Sequence, residues 1–263
     1  LVDTRDGWLL FDTGMNCEGI HDPEGTWGER AKMIQPRLAP EDDVRHRLGE
    51  VGVRLEDIRV VVNSHLHWDH CGGNRLFNHC PIVAQRAEMA FAREPTGLVA
   101  GGYMANHFAL PLKYDLIEGD QEIAPGVRTI TTRGHTPGHQ SLLVDLESGR
   151  RVALCADAAY TYATLEQRLL ADNVWDRGAT GRSLDRLCGL RAEGVLLVPG
   201  HEPLLWDSLG PSLRASLFYP LGFILAGHED TARKLFSLLD AWQGIGIIGE
   251  KKDEPGTWLI LVA

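Results

Sequence analysis

Long apolar runs are missing from this sequence of 263 residues. No stretch approaches the ~20 consecutive apolar residues that a membrane-spanning helix needs, so we expect no membrane partner. No secretory signal peptide is visible, and the chain begins at Leu1 and not at a methionine. We therefore expect a cytoplasmic protein whose native N-terminal segment lies outside this sequence.

Cysteines at paired spacing are also missing. The five cysteines are odd in number, widely scattered, and never occur as Cys-x-x-Cys. This usage favours reduced thiols in a cytosolic protein over a disulfide framework. The five are Cys17, Cys71, Cys80, Cys155 and Cys188.

Positive charge is scarce in this chain. The 26 Lys and Arg residues stand against 36 Asp and Glu residues, which gives a formal net charge of -10 at pH 7. An acidic chain without a Lys/Arg cluster has little attraction for a polyanion. We therefore expect neither nucleic acid nor an anionic membrane as a partner. The composition, 44% hydrophobic and 24% charged, is otherwise that of a globular protein with a sizeable core.

Short apolar runs of strand length alternate with helical patterns along the chain, which predicts a layered α/β domain. Residues 16–40 carry several Gly and Pro residues and little periodicity, so we predict a long loop there. The predicted strands are 7–11, 58–62, 127–132, 141–146, 151–155 and 195–198, and the predicted helices are 41–51, 85–93 and 183–193.

Residue types that bind metals follow four of the predicted strands. Each stands just beyond the carboxyl end of an apolar run, with Gly or Pro beside it or nearby. In layered α/β folds, the carboxyl ends of strands are where functional sites assemble. We therefore expect these four side chains to meet: His65, His135, Asp157 and His201.

The segment after strand 58–62 reads Ser-His-Leu-His-Trp-Asp-His-Cys-Gly-Gly. His65 and His67 are two residues apart, so in an extended segment both imidazoles project to the same side. If the chain turns after His67, Asp69 and His70 reach a second point in space. Together with the residues at the later strand ends, there are too many ligands for one tetrahedral zinc. The cluster therefore predicts two metals, ~3.5–4 Å apart.

These residues resemble the signature of the metallo-β-lactamase-fold hydrolases. The spacing His-x-His-x-Asp-His at 65–70 is strict, and His135, Asp157 and His201 follow in order. The resemblance implies a four-layer αββα sandwich with two metals at one edge of its sheets. It also implies the ligands: His65, His67 and His135 for one metal, Asp69, His70 and His201 for the other, and Asp157 as the bridge.

Finer features are similar to the N-acyl-homoserine lactone lactonases, the quorum-quenching branch of that superfamily. They include the run Gly-His-Thr-Pro-Gly-His at 134–139 and Tyr160, three residues after the bridging carboxylate. In that branch the equivalent tyrosine lies beside the metals and hydrogen-bonds the lactone. The match covers about residues 1–207 and begins inside the family's domain, so we expect the fold to lack its first N-terminal strands.

We assign residues 1–219 to the hydrolase domain and residues 220–263 to a C-terminal extension of unknown role, with packing on the same domain as one option. Within the extension, residues 231–242 have the pattern of an amphipathic helix. Residues 257–262 are predicted to form a strand.

The resulting hypothesis is a metal-dependent hydrolase that opens the lactone ring of N-acyl-homoserine lactones. A hydroxide between the two metals attacks the carbonyl, Tyr160 stabilises the oxyanion, and Asp157 or Asp69 transfers the proton. Zinc is the expected metal, with Mn, Fe, Co and Ni as alternatives, because mixed imidazole and carboxylate sites accept all of them. The expected partner is a small lactone, and the expected state is a monomer or homodimer.

Two alternatives stay open at this point. A glyoxalase-II-like thioesterase, or another hydrolase of the same fold, shares the ligand set, because fold alone does not determine the substrate. A metal-binding scaffold without turnover is the second alternative. Hydrolysis assays with a lactone and a glutathione thioester discriminate among them.

Overall fold

The computed structural model contains twelve strands, which form two β-sheets in the described part of the chain. That part comprises residues 1–94, 102–146, 148–202, 245–247 and 258–261. The strands are β1 (Val2–Thr4), β2 (Gly7–Phe11), β3 (Ile58–Val62), β4 (Ile82–Gln85), β5 (Tyr114–Ile117), β6 (Gln121–Ala124), β7 (Val127–Thr131), β8 (Gln140–Asp145), β9 (Arg151–Ala156), β10 (Leu196–Pro199), β11 (Ile245–Ile247) and β12 (Trp258–Leu261).

Strand direction brings several carboxyl ends to the same edge. The first sheet has the order β11-β12-β1-β2-β3-β4-β5, and its strands β2 to β5 run parallel. The second has the order β10-β9-β8-β7-β6, in which β9 and β10 are parallel and β8 is antiparallel to both β7 and β9. Strands β7, β9 and β10 therefore share one direction, and the segments that follow them leave the sheet at the same end.

Helices follow several of the strands. The α-helices are α1 (Pro23–Trp27), α2 (Glu29–Ile34), α3 (Val44–Glu50), α4 (Arg86–Arg93), α5 (Ala105–Phe108), α6 (Tyr162–Gln167) and α7 (Arg177–Ala192). Short 3₁₀ helices occupy Cys17–Ile20, Pro40–Asp42, Leu55–Asp57 and Asn74–Phe77. No helix among the described residues has the length and apolarity to cross a lipid bilayer.

Alternation of side chains along the strands creates three layers of core. In β8, Leu142 packs between the two sheets, and its neighbour Leu143 packs on the opposite face with Leu187 of α7. In the first sheet, Val62 of β3 likewise faces the second sheet, whereas Val61 faces α3. Because successive side chains on a strand point to opposite faces, each sheet is apolar on both sides and is covered on both. The result is the predicted four-layer αββα sandwich.

Most of the predicted elements are confirmed, with their bounds shifted by a residue or two. The long loop predicted at 16–40 is wrong, because this segment contains a 3₁₀ helix followed by α1 and α2. Its helices are too short for a hydrophobic period to show, and side-chain caps start two of them: Asn16 accepts from the amide of Glu18, and Asp22 from that of Gly25.

Two predicted helices begin elsewhere. The helix predicted from residue 41 begins at Val44, because Asp43 is extended and caps the amide of Arg45. The helix predicted from residue 183 begins at Arg177, where Asp176 accepts a hydrogen bond from the amide of Ala179. Strands β1, β4, β5, β6 and β11 were not predicted, because each has only three or four residues and at most two β-branched residues in succession.

The C-terminal region contributes strands to the first sheet. The strand predicted at 257–262 is confirmed as β12, which pairs antiparallel with β1 through Val2 and Leu259. The predicted helix at 231–242 lies outside the described residues.

Candidate metal centre

Segments after four strands deliver side chains to one place. His65 follows β3 by three residues, and His135 lies in the turn after β7. Asp157 comes directly after β9, and His201 follows β10 by two residues. The structure brings these four side chains together with His67, Asp69 and His70, the remaining members of the predicted cluster.

The carboxylate of Asp157 is central to this cluster. Its Oδ1 lies 3.1 Å from Nε2 of His70 and 3.0 Å from Nε2 of His201. Its Oδ2 lies 3.2 Å from Nε2 of His135 and 3.9 Å from Nε2 of His65. One oxygen therefore faces one pair of imidazoles, and the second oxygen faces another pair.

Three sets of side chains have ligand atoms close enough to hold a cation. Within each set, the potential ligand atoms all lie within 4.8 Å of one another. The sets share members, which is the pattern expected of two neighbouring ions. They are His65, His67 and His135; His65, His70 and Asp157; and Asp69, His70 and His201.

Burial keeps the imidazoles of His65, His67 and His135 neutral, which is the state in which they can bind a metal. Burial is the main cause that lowers the pKa of His65 and His67, and neighbouring imidazoles lower it further. Burial also lowers the pKa of His135, although the charge of Asp157 opposes this change. These rings are therefore neutral near pH 7, and a neutral imidazole is a good ligand for divalent cations.

A buried nitrogen without a hydrogen-bond partner among the described residues leaves a place for a cation in this cluster. His65 is fully buried, and its Nδ1 lies 2.9 Å from Oγ of Ser64. Its Nε2 points into the cluster, and no hydrogen-bond partner for it exists among the residues that the structure describes. A buried polar atom without a partner is costly unless it binds an ion or water. The surrounding imidazoles and carboxylates match the ligand preferences of zinc and its neighbours in the periodic table.

Tight turns bring the end of the histidine segment against the chain that follows β2. A Cβ at Gly72 would lie 2.3 Å from the backbone nitrogen of Asn16, and one at Gly73 would lie 2.6 Å from the carbonyl oxygen of Thr13. Only glycine fits where two backbones approach this closely. The contact between these two segments therefore depends on Gly72 and Gly73.

Asp12 supports His70, and sequence reasoning did not identify it. Its Oδ2 lies 2.8 Å from Nδ1 of His70, and its Oδ1 accepts a hydrogen bond of 2.7 Å from the amide of Ser64. A carboxylate on one ring nitrogen of a histidine orients the other toward a metal. The Asp-Thr-Gly turn after β2 is visible in the sequence, but nothing local indicates that its aspartate reaches a residue 58 positions away.

His139 supports Asp157 and was also not identified. Its ring is fully buried, and its Nε2 accepts a hydrogen bond of 3.1 Å from the amide of Asp157. The proton must then be on Nδ1, which lies 2.9 Å from Oγ1 of Thr132. Burial lowers the pKa of His139 to about 3, so the ring stays neutral and keeps this arrangement.

Tyr160 lies beside the cluster, as predicted. Its hydroxyl is 3.3 Å from Nδ1 of His135 and 3.4 Å from Nδ2 of Asn173. Burial, followed by the charge of Asp157, raises the pKa of Tyr160. The phenol is therefore protonated near pH 7 and has a hydrogen to donate.

Comparison with known proteins finds relatives of similar sequence that are named as lactonases. An N-acyl homoserine lactonase of Bacillus cereus is 40% identical over 172 residues, which cover 64% of this chain and 66% of that protein. The chain thus matches slightly less than two thirds of that relative's length. The N-acyl homoserine lactonase AttM of Rhizobium johnstonii is 33% identical over 216 residues, which cover 79% of this chain and 82% of the relative.

A solved structure has the same fold. It is an N-acyl homoserine lactone hydrolase with N-hexanoyl-L-homoserine, its product, bound at the catalytic metal centre. It is 32% identical to this chain, covers 78% of it, and superimposes with a TM-score of 0.67. The profile of the metallo-beta-lactamase superfamily matches residues 1–201, which contain every residue of the cluster. On this evidence, the chain belongs to the metallo-β-lactamase superfamily.

Proposed function

We propose that this chain is a metal-dependent hydrolase that opens the lactone ring of N-acyl homoserine lactones. The observation that carries the proposal is the position of Asp157, whose two oxygens face two different pairs of imidazoles. A carboxylate placed in this way suits a bridge between two cations. The similarity to lactonases over most of the chain supports the substrate class.

The cations are proposed to be zinc, which the first and third of the groups described above would hold, with Asp157 as the carboxylate within reach of both. Bound divalent cations of this kind polarise a carbonyl oxygen and lower the pKa of water toward ~7. His65, His67 and His135 offer neutral, buried nitrogens for one ion. Asp69, His70 and His201 form the more exposed group for the other.

Tyr160 is proposed to stabilise the charge that develops on the carbonyl oxygen. Its hydroxyl stands at the edge of the cluster and stays protonated at neutral pH, so it donates without competing for a cation. Asn173 lies beside the same hydroxyl and orients it. Hydrolysis adds water to the carbonyl carbon and breaks the ring C–O bond.

The ring oxygen that leaves must gain a proton. Asp69 is proposed to take up the proton that the attacking water loses and to pass it to this oxygen, because its side chain is 30% exposed. Asp157 is only 5% exposed at its side chain and is the less accessible carboxylate for this transfer. The product is an N-acyl homoserine with a free carboxylate and hydroxyl.

The test is hydrolysis of a series of N-acyl homoserine lactones by purified chain, with elemental analysis of the same samples. The Asp157→Ala and His135→Ala variants should lose metal and activity together, and Tyr160→Phe should keep its metal and lose about 10²–10³-fold in kcat. His46→Ala, a surface histidine that pairs with Glu50, is the matched control and should change neither.

Three outcomes would contradict the proposal. A glutathione thioester hydrolysed faster than every lactone would indicate a thioesterase. Bound metal without hydrolysis of either substrate would indicate a scaffold. Full activity in Asp157→Ala would show that catalysis does not depend on the metal cluster.

A further inference from the structure

A second buried carboxylate lies behind the metal cluster, and its hydrogen bonds go to the backbone of the cluster's loops and to Tyr103. Glu88 is the third residue of α4, and its exposed fraction is 0%. Isolated buried carboxylates are expensive, so such a group is retained only where hydrogen bonds compensate its desolvation. Its hydrogen-bond partners therefore indicate its role.

Those partners belong to two different loops of the metal cluster. Oε1 of Glu88 accepts a hydrogen bond of 3.0 Å from the amide of Leu66, the residue between His65 and His67. Oε2 accepts one of 3.0 Å from the amide of Gly138, in the turn that carries His135. One carboxylate thus connects the two loops that supply all three nitrogens of the buried group.

The fit between Glu88 and these loops is close. A Cβ at Gly138 would lie 2.3 Å from the backbone nitrogen of Glu88, so the turn packs directly on the first turn of α4. The hydroxyl of Tyr103 donates a third hydrogen bond, of 2.8 Å, to Oε1. Both backbone partners can only donate, which requires an acceptor at each oxygen of the side chain.

The rings that the two loops carry also meet. Nε2 of His135 lies 3.0 Å from Nδ1 of His67, and both rings belong to the set of three side chains that could hold one cation. A small displacement of either loop would separate these nitrogens. Buried groups that orient metal ligands from behind contribute about 10–100-fold to metal affinity.

We infer that Glu88 is a positioning residue, which fixes the spacing of the two loops so that His65, His67 and His135 bind one zinc ion. This role rests on the proposed metal-dependent function of the centre. It concerns how the site is held together and does not depend on the substrate.

Two conservative substitutions of Glu88 distinguish a hydrogen-bonding role from a space-filling role. Gln matches Glu in size but has one oxygen, so Glu88→Gln accepts from one loop and presents an N–H₂ group to the amide of the other. Asp is shorter but keeps two acceptor oxygens. If acceptors at both loops matter, zinc affinity falls in the order wild type, Glu88→Asp, Glu88→Gln. If Glu88 only fills space, Glu88→Gln is the better replacement.

The experiment measures zinc binding directly. Metal-free protein is titrated with zinc in buffers of fixed free zinc concentration, and bound zinc is counted by elemental analysis. We expect wild type to bind two ions, and Glu88→Gln to bind the ion of the buried group about 10–100-fold more weakly. One control should bind zinc as wild type does: Glu94→Gln, at the exposed end of α4.

The melting temperature of each metal-free variant shows whether it is folded. If Glu88→Gln does not fold, the zinc affinity of Glu88→Asp is compared with that of wild type. Equal affinities of these two proteins would overturn the inference. Equal affinities in wild type, Asp and Gln variants, or tighter binding by Gln than by Asp, would also overturn it. A wild-type chain that binds zinc but leaves lactones intact would contradict the proposed substrate alone.

Discussion

At the scale of single residues, a missing side chain makes room for His67. A Cβ at Gly102 would lie 2.0 Å from Cδ2 and 2.2 Å from Nε2 of this imidazole. The backbone at Gly102 is also held, because its carbonyl oxygen accepts a hydrogen bond of 2.9 Å from the amide of Trp68. Because this hydrogen bond holds the backbone of Gly102 in place, a side chain at position 102 would have to displace the ring of His67.

We therefore expect Gly102→Ala to displace His67 and to weaken metal binding. A shift of about 1 Å in a catalytic group costs on the order of 10²-fold in rate, so lactone hydrolysis should fall by about that factor. Elemental analysis and a hydrolysis assay on one preparation check the prediction. Gly49→Ala in α3 is the control, because a Cβ there meets nothing within 4 Å, and it should behave as wild type. Normal metal content and rate in Gly102→Ala would contradict it.

At the scale of elements, α7 is attached to the second sheet by charge. Arg186 of α7 forms an ion pair with Asp120, which precedes β6, and it donates a hydrogen bond of 3.0 Å to the carbonyl oxygen of Thr131 in β7. Asp120 in turn accepts a hydrogen bond of 2.9 Å from the amide of Thr131. The helix that covers the sheet is thus linked to the end of β7, from which His135 departs.

This link should make stability depend on pH in the acidic range. Burial raises the pKa of Asp120, but hydrogen bonds from Arg186 and Thr131 outweigh it, so the folded value lies below the ordinary 3.8. A lowered folded pKa stabilises the protein above 3.8, and this stability is lost as the pH falls through the folded value. Because the pair is partly exposed, Asp120→Asn should cost no more than about 1 kcal/mol at pH 7.

Denaturant unfolding of Asp120→Asn and wild type at pH 7 and at low pH measures this difference. The difference in free energy of unfolding between Asp120→Asn and wild type should be smaller at low pH than at pH 7. The control is Asp115→Asn, an exposed substitution in β5, which should unfold with the same free energy as wild type at both pH values. An equal difference for Asp120→Asn at pH 7 and at low pH would show that Asp120 acts through packing and not through its charge.

At the scale of the whole molecule, the metal cluster joins the two sheets. His65, His67 and His70 follow β3 of the first sheet, whereas His135, Asp157 and His201 follow strands of the second. A cation that binds residues from both sheets links the two halves of the sandwich. Such an ion binds the folded chain and has no preformed site in the unfolded chain.

Removal of metal should therefore lower the melting temperature. Binding to the folded state alone stabilises by about 2.7 kcal/mol when the free ion is at 100 times its Kd. Calorimetry of wild type with and without a chelator measures the effect. The Asp157→Ala variant should respond much less to the chelator, and an unchanged melting temperature in wild type would contradict a metal shared between the sheets.

Part of this protein follows from the sequence alone, because the relevant interactions are local. The β-branched run at 58–62 specifies β3 to the residue, and the strict spacing of His65, His67, Asp69 and His70 indicates a metal. Strand ends also predicted that His135, Asp157 and His201 would join them. The apolar runs and the histidine spacing are patterns within a few positions, where backbone geometry decides the outcome.

Only the tertiary structure decided which side chains support that cluster. Asp12 reaches His70 across 58 positions, His139 reaches Asp157 across 18, and Glu88 reaches Leu66 across 22 and Gly138 across 50. An aspartate after a strand or a glutamate in a helix is common, and its local sequence does not indicate a distant partner. Such contacts form when two sheets and their helices pack, so their identity depends on the whole fold and not on the neighbouring residues.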